Sequence, residues 1–324
     1  MKKKNIQYPS ATCTAAAWIL CACALLCSCG NDAPLSANLT GVPLGVDNLR
    51  LDAAPATRAG GTPVTTTGAT IGVFLTDQAG YRPAYNKTYT YNISGQWSST
   101  DPVYVDNRVG KVVAFYDPNN LVSFGTSTTL TTTTWQAQAY AENKLWYYDN
   151  TSGTAVSNAS PTVAFSMKCA YARLSFSISR DAGYPLPCKI SGIEVKPTSG
   201  TFHTAAKVNI ADGTLTDGNS ASSQTIDTST LSINTSGIAV GATNTDIDWL
   251  FPAQTLETGA GLSFTLTVDG SNYTANVPAA TFNRFDAGVR YTVQLQMASP
   301  GITVSGVTTT DWVTSATDIN SKFD

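Results

Sequence analysis

Apolar and polar residues alternate along most of the chain, and a period of two predicts β-strands. In the segment ARLSFSIS (172–179), Leu174, Phe176 and Ile178 fall on one face and the polar residues fall on the other. Further candidate strands are the segments TYTYNI (88–93), KVVAFY (111–116), KISGIEV (189–195) and RYTVQLQM (290–297). Helical spacing of apolar residues is nearly absent. The pattern therefore predicts an all-β protein.

The clearest local prediction is a β-hairpin over residues 262–277. The segments LSFTLTV (262–268) and SNYTANV (271–277) both alternate, and Asp269-Gly270 lies between them. Asp-Gly favours a tight hairpin turn because both central residues need positive φ. Short strands separated by Gly, Asn, Asp and Pro turns are typical of antiparallel β-sandwiches.

Polar stretches without alternation predict loops and a domain boundary. Residues 124–136 and 212–232 are rich in Thr, Ser, Asp and Gly, and we expect both to be surface loops. The Gly/Ser/Asn-rich segment 147–162 precedes renewed alternation, and roughly 300 residues suffice for about two domains. The sequence predicts two domains, residues 59–158 and residues 159–324.

The first 28 residues have the pattern of a secretory signal peptide. Lys2, Lys3 and Lys4 precede an apolar stretch of about a dozen residues, AAAWILCACALL (15–26). A membrane-spanning helix needs about 20 apolar residues, so this stretch is too short for one. We expect residues 1–28 to be removed on export.

The end of this leader contains two cysteines in different contexts. Leu26-Cys27-Ser28-Cys29 resembles the lipobox of bacterial lipoproteins, in which a small residue precedes the lipidated cysteine. Cys29 follows Ser28, which is a small residue, whereas Cys27 follows Leu26, which is not. We predict that Cys29 is the lipidated first residue of the mature chain. An ordinary signal peptide with a chance cysteine is the alternative.

Only Cys169 and Cys188 of the seven cysteines fall in the folded part, so the chain is not a disulfide scaffold. If residues 170–179 and 188–195 pair as a hairpin, the two cysteines lie about 30 Å apart along the strands. Bridged Cα atoms are usually within about 7 Å of each other. We therefore predict two free thiols, although another strand order would remove this objection.

Composition indicates an exported protein that does not bind nucleic acid. Loss of the three leader lysines changes the formal charge from −3 to −6, and the sequence contains no basic patch. Charged residues make up 13% of the chain, compared with about 25% in ordinary soluble domains. Thr, Ser and Asn take their place, as expected for the surface of an exported β protein.

The sequence offers little for catalysis. His203 is the single histidine, and no nucleophile or metal ligand lies near it. The pair Asp246 and Asp248 falls short of the 6–8 oxygen ligands that calcium takes. No strand followed by a glycine-rich loop suggests phosphate binding. We predict a protein without enzymatic activity, metal or cofactor.

Four aromatic residues, Trp97, Trp135, Trp146 and Tyr147, could form a platform for sugar rings. Aromatic residues in sandwich proteins are more often part of the core. A monomeric, surface glycan-binding lipoprotein is therefore the alternative to a structural role.

Several segments, taken in order, resemble the fimbrillin family of Bacteroidales, the type V pilins. The lipobox is followed by ATRAGG and TIGVFLTD, then by KVVAFYDP and by VAFSMKCAYARLSFSI. WLFPAQT and the closing segment FDAGVRYTVQLQMASPGITVSGVTTTDW complete the series. Each motif alone is weak, but together they cover most of residues 13–312. Relatives often carry His at the position of Cys169.

This resemblance implies two tandem transthyretin-like antiparallel β-sandwich domains and a structural or adhesive role in a cell-surface fimbria. It also implies export as an outer-membrane lipoprotein, then cleavage by an Arg-specific protease within residues 29–58. Arg58, before Ala59, matches the cleavage position, with Arg50 as second choice. Removal of the first strand would leave a groove for a strand from another fimbrial subunit.

The resemblance leaves the position of this subunit in a fimbria open. After Trp312 the apolar residues Val313, Ala316 and Ile319 are irregularly spaced, whereas a donor strand should alternate. The protein could be a stalk, tip or accessory subunit, and a host or bacterial surface ligand would suit a tip. The segment LTGVPLGVDNLRL (39–51) has apolar residues suited to a removable strand.

Overall fold

The structure, a computed structural model, describes residues 41–51, 61–76, 83–124, 129–184, 188–226, 228, 243–299 and 301–311. Their regular structure consists of β-strands and one 3-10 helix, Glu142–Lys144. The prediction of an all-β protein is confirmed. None of the helices in these ranges has the length and apolar character to cross a membrane.

The described residues form 24 strands. In chain order they are β1 (Val42–Pro43), β2 (Gly45–Leu51), β3 (Thr62–Pro63), β4 (Thr70–Leu75), β5 (Ala84–Tyr91), β6 (Trp97–Ser98), β7 (Tyr104–Val105), β8 (Val112–Tyr116), β9 (Trp135–Gln136), β10 (Gln138–Ala139), β11 (Tyr147–Asp149), β12 (Thr162–Cys169), β13 (Tyr171–Arg180), β14 (Ile190–Pro197), β15 (Phe202–Val208), β16 (Leu215–Ala221), β17 (Gln224–Ile226), β18 (Thr243–Pro252), β19 (Gln254–Thr255), β20 (Leu262–Val268), β21 (Ser271–Val277), β22 (Arg284–Phe285), β23 (Val289–Ala298) and β24 (Gly301–Asp311).

Three sheets contain most of these strands. The first has eight strands in the order β3-β2-β12-β11-β8-β4-β5-β6. The second has five, β10-β18-β13-β23-β24, and the third has four, β17-β14-β20-β21. Three small sheets, β16-β15-β9, β1-β7 and β19-β22, complete the described part. Most pairs are antiparallel, but β2 with β12 and β13 with β23 are parallel.

The hairpin predicted over residues 262–277 is confirmed. β20 and β21 pair without a register shift from Leu262 opposite Val277 to Val268 opposite Ser271. Asp269 and Gly270 both have positive φ, 48° and 80°, as the tight turn requires. The Asp269 carboxylate also accepts the backbone N–H groups of Cys188 and Lys189, each at 2.9 Å, which fixes the turn to the start of β14.

Buried side chains form two hydrophobic clusters. The first gathers side chains of the eight-stranded sheet together with residues such as Val103, Trp135 and Trp146. The second lies between the five-stranded and four-stranded sheets, where the rings of Phe176 and Phe264 meet edge to face at 5.4 Å. Two sheets with a shared apolar interior make this second part a β-sandwich. The clusters meet at Tyr171, which belongs to the first, and Ala172, which belongs to the second.

The loop predicted over residues 212–232 contains two strands, so that prediction is wrong in part. β16 is the outer strand of its sheet and pairs with β15, while β17 is an outer strand next to β14. An outer strand can be stabilised by backbone hydrogen bonds on one side while most of its side chains face water. Its sequence then needs no apolar alternation, and the segment LTDGNSA shows none.

The two folded cysteines are free and buried, as predicted, but for a different reason. β13 pairs with β18 and β23, and β14 pairs with β17 and β20, so the hairpin assumed from the sequence is wrong. Cys169 lies in the first cluster and Cys188 in the second. Burial raises the pKa of the Cys169 thiol to about 12, so this thiol is protonated and unreactive at neutral pH.

Candidate functional site at the N-terminal strand

β2, the first strand of the eight-stranded sheet in chain order, lies inside that sheet rather than at its margin. It runs parallel to β12 on one side and antiparallel to β3 on the other. Residues paired across two parallel strands point to the same face of the sheet. In β2 and β12 the apolar pairs are Val46 with Val163, Leu49 with Phe165 and Leu51 with Met167. The segment suited to a removable strand is therefore an integral part of the first sheet.

This segment also contributes to the hydrophobic core. Leu44, Val46 and Leu49 are 2%, 6% and 1% exposed, and all three belong to the first cluster. Val46 and Leu49 are three residues apart, which would place them on opposite faces of a regular strand. A register shift opposite Val163 and Ala164 accommodates the additional residue, so both side chains face the core.

Backbone and hydroxyl hydrogen bonds fix the start of the segment. The Leu44 N–H donates to the carbonyl of Val103 at 2.8 Å, and the Gly45 N–H donates to the carbonyl of Pro161 at 2.7 Å. The buried Tyr89 hydroxyl donates to the Leu44 carbonyl and accepts the Val103 N–H, both at 3.0 Å. Burial raises the pKa of Tyr89 to about 12. Tyr89 lies 45 residues from Leu44, so no local sequence pattern could identify it as a partner of this segment.

β2 fills a ladder position beside β12, and Leu44, Val46 and Leu49 fill apolar pockets of the first core. Without residues 41–51, β12 loses its ladder partner on one side and the pockets of Leu44, Val46 and Leu49 are empty. An extended segment with apolar side chains would restore both the hydrogen bonds and the buried area. The site is therefore suited to hold a strand, whether the protein's own or that of a partner.

We expect Leu49→Ala to destabilise the first core by about 2–5 kcal/mol, because truncation of a buried leucine loses transfer free energy and leaves a cavity. Arg50→Ala is the matched control, since the Arg50 side chain is exposed on the same strand and should change stability by less than about 0.5 kcal/mol. Urea unfolding followed by tryptophan fluorescence measures both variants. Equal effects would show that Leu49 is not part of the core.

Of the predicted processing residues, Cys29, Arg58 and Ala59 lie outside the described residues. Arg58 falls in the sequence between the end of β2 at Leu51 and the start of β3 at Thr62. The second-choice residue, Arg50, lies within β2, where it pairs with Ser166 of β12 and Pro63 of β3. A protease binds its substrate as an extended, accessible segment. The pairing of β2 with β12 and β3 therefore protects Arg50 from cleavage.

Side chains considered for catalysis have structural contacts instead. His203 Nδ1 lies 3.4 Å from the Ser220 hydroxyl, and its backbone N–H donates to Gln254 at 2.6 Å. Asp248 forms an ion pair with Arg173 and accepts a hydrogen bond from Ser175. The described ranges contain no group of three or more His, Cys, Asp or Glu side chains that could hold a metal ion.

The four aromatics considered as a sugar platform are core residues. Trp97, Trp135, Trp146 and Tyr147 are 7%, 5%, 0% and 5% exposed. The Trp135 ring packs edge to face against Trp146 at 5.9 Å and against Tyr171 at 4.2 Å. Buried rings cannot stack on a sugar, so the hypothesis of a platform built from these residues is wrong.

Solved structures share this fold at low sequence identity. A fimbrial protein from Bacteroides vulgatus superposes with a TM-score of 0.54 and 17% identity, covering 83% of this chain and 99% of that one. A candidate cell adhesion protein from Bacteroides uniformis superposes with a TM-score of 0.50 and 14% identity, covering 83% and 99%. No protein of curated function matches the chain in sequence.

The described part of the chain combines an all-β fold with a site that holds an extended strand. The sequence profile of the fimbrillin-like family matches residues 57–312. The chain belongs to the fimbrillin-like family, and the resemblance found in its sequence is confirmed. Membership supports a role as a fimbrial subunit at the cell surface.

Proposed function

We propose that this protein is a structural or adhesive subunit of a cell-surface fimbria, exported as a lipoprotein and assembled by strand exchange after proteolysis. The observation that carries the proposal is the position of β2. It completes the first core through Val46 and Leu49, yet in sequence it precedes Arg58 and every strand from β3 onward. A single cut after Arg58 therefore separates a core strand from the body it stabilises.

The proposed sequence of events begins at the outer membrane. Acyl chains on Cys29 hold the precursor there, because each buried methylene contributes about 0.8 kcal/mol. An Arg-specific protease then cuts between Arg58 and Ala59. Residues 29–58 leave with the lipid, and a strand from another subunit takes the place of β2 beside β12.

The free energy of this exchange is small, since the incoming strand forms the same kinds of contact as the strand that leaves. Cleavage makes the strand exchange irreversible, because the freed segment loses its covalent attachment and diffuses away. A neighbouring subunit held in the same fimbria is then at higher effective concentration than the released peptide.

We also propose that the fold consists of two transthyretin-like sandwich domains. The two buried clusters support the number of domains. The sequence placed their boundary between residues 158 and 159. β12 packs into the first cluster, however, and we therefore propose a boundary close to Ala170.

The N-terminal sequence of the protein recovered from fimbriae tests the proposal. We expect the mature chain to begin at Ala59. A mature chain that keeps residues 30–58 and its lipid would contradict strand exchange and would instead support a lipoprotein that remains anchored.

Lipidation is tested by substitution of the two cysteines at the end of the leader. We expect Cys29→Ser to abolish labelling with radioactive palmitate, because the lipid is transferred to the cysteine that follows Ser28. Cys27→Ser is the matched control and should be labelled like the unchanged protein. Equal labelling of the Cys29→Ser variant would contradict the assignment.

A further inference from the structure

The outer strands of the described sheets differ in how well they are protected against pairing with another chain. An outer strand presents unpaired N–H and C=O groups, and proteins limit this exposure with short strands, Pro, charge or bulges. β3, β6, β10 and β17 are only two or three residues long, and β3 contains Pro63. β16 has seven residues but includes Asp217 and Gly218, and its pairing with β15 has two register shifts.

Two outer strands lack most of this protection, and they lie on the same side of the second sandwich. β24 ends the five-stranded sheet with eleven residues, and β21 ends the four-stranded sheet with seven. Their sequences, GITVSGVTTTD and SNYTANV, contain no Pro, and Asp311, the last residue of β24, is the one charged residue. β24 has a single register shift, opposite Gln294 and Leu295.

The gap between these two strands is partly apolar. β21 packs against β24, and a groove of about 190 Å³ between them is lined by Val277, Pro278, Val304 and Val307 among others. Val277 is 2% exposed, whereas Val304 and Val307 are only partly buried. In the described part of the chain, no strand pairs with the outer side of β24.

We propose that the outer edge of β24 is an interaction surface for a second copy of this chain. Two copies of β24 pair antiparallel about a two-fold axis near Gly306, the midpoint of the strand, and join two five-stranded sheets into one of ten strands. A two-fold axis makes the contact self-complementary, so one surface serves both partners. Sheets of up to about ten strands are common.

The residues of β24 favour a second copy of this chain as the partner of its outer edge. The uncharged centre of β24 brings no like charges together, and the partner covers the half-exposed side chains of Val304 and Val307. Residues 312–324 are the other candidate, but their apolar residues Val313, Ala316 and Ile319 lack the alternation of a strand. This pairing needs no cleavage at Arg58 and therefore goes beyond the proposed strand exchange.

Cysteine cross-linking in the uncut chain from residue 30 onward tests the proposed axis, with Arg58→Ala present in every sample to block strand exchange. Gly306→Cys places a thiol near the axis, next to its own counterpart, so we expect a disulfide-linked dimer under mild oxidation. An added Cβ at Gly306 lies 3.1 Å from Gln294 Oε1, the end of a flexible side chain that can move. Thr309→Cys is the control, because its counterpart lies about 20 Å away.

A second pair of variants tests the apolar contact by light scattering on the same uncut chain. Val307→Lys should abolish the dimer, since the partner would bury the ammonium group, whereas Thr308→Lys, exposed on the opposite face, should retain it. Circular dichroism confirms that each variant is folded. The proposal is overturned if the uncut chain is a monomer at its highest soluble concentration, or if Thr309→Cys cross-links as readily as Gly306→Cys. A monomer in which the thiol of Gly306→Cys resists alkylation also overturns it and indicates that residues 312–324 cover the edge.

Discussion

Limited trypsin treatment of the lipid-free precursor should cut first after Arg58 and produce oligomers that resist mild denaturant. Arg58 is the basic residue of the segment APATRAGGTP, and Arg50 lies in a strand paired on both sides. Once the chain is cut, β2 can leave, and the exposed edge of β12 and the vacated pockets bind a strand of another subunit. Size-exclusion chromatography with light scattering measures the product.

The matched controls are two arginine variants. Arg58→Ala should keep the size of the uncut chain after the same treatment, whereas Arg50→Ala should be cut and should assemble like the unchanged protein. If the Arg58-cleaved protein keeps the size of the uncut chain at high concentration, the proposed strand exchange is wrong for this subunit. A tip or accessory position that receives no further subunit would then fit better.

Alkaline pH should unfold the protein between about pH 10 and pH 12. Burial raises the pKa of Tyr89 and of Tyr148 from 10.0 to about 12, and it also raises the pKa of Tyr171 and Tyr291. A pKa raised by two units corresponds to roughly 3 kcal/mol of stability per group. The neutral phenol is the form that the folded state favours. This contribution is therefore complete below pH 10 and is lost as the pH rises towards 12.

Tyrosinate absorbance and circular dichroism, followed together across this pH range, measure the effect. We expect fewer than the 14 tyrosines of the chain to ionise while the fold persists, and the rest to ionise as it is lost. Tyr148→Phe should move the unfolding midpoint to higher pH, and Tyr104→Phe, at a 56% exposed position, should not. Ionisation of all tyrosines in a single step near pH 10 without unfolding would contradict the prediction.

The sequence predicted those parts of the fold that depend on neighbouring residues. Alternation located β13 and β23, and Asp269-Gly270 located the hairpin between β20 and β21, because a turn and its flanking strands are encoded together. The parallel pairs were not predictable in this way. β2 and β12 are more than 100 residues apart, and no local pattern specifies which strands become neighbours.

The candidate site was predictable in part. The apolar residues of the segment 39–51 indicated a strand, and the structure places β2 in the core. The two hydrogen bonds of the Tyr89 hydroxyl join segments that are far apart in sequence, around Leu44, Tyr89 and Val103. No local pattern in the sequence could predict these bonds. Aromatic residues such as Trp135 were ambiguous for a related reason, since composition does not show whether a ring faces the core or the solvent.

The parallel alignment of β2 with β12 determines how the pairing of these two strands responds to a pulling force. A force along the strand axis acts on all hydrogen bonds between Gly45 and Leu51 at the same time, so they must rupture together. A force across the strand breaks them one after another from one end. A strand from a neighbouring subunit in the same orientation would be loaded lengthwise when a fimbria is stretched by flowing liquid. The pairing between the two subunits would then resist tension along the fimbria strongly, and the same strand would still separate under a force across the strand.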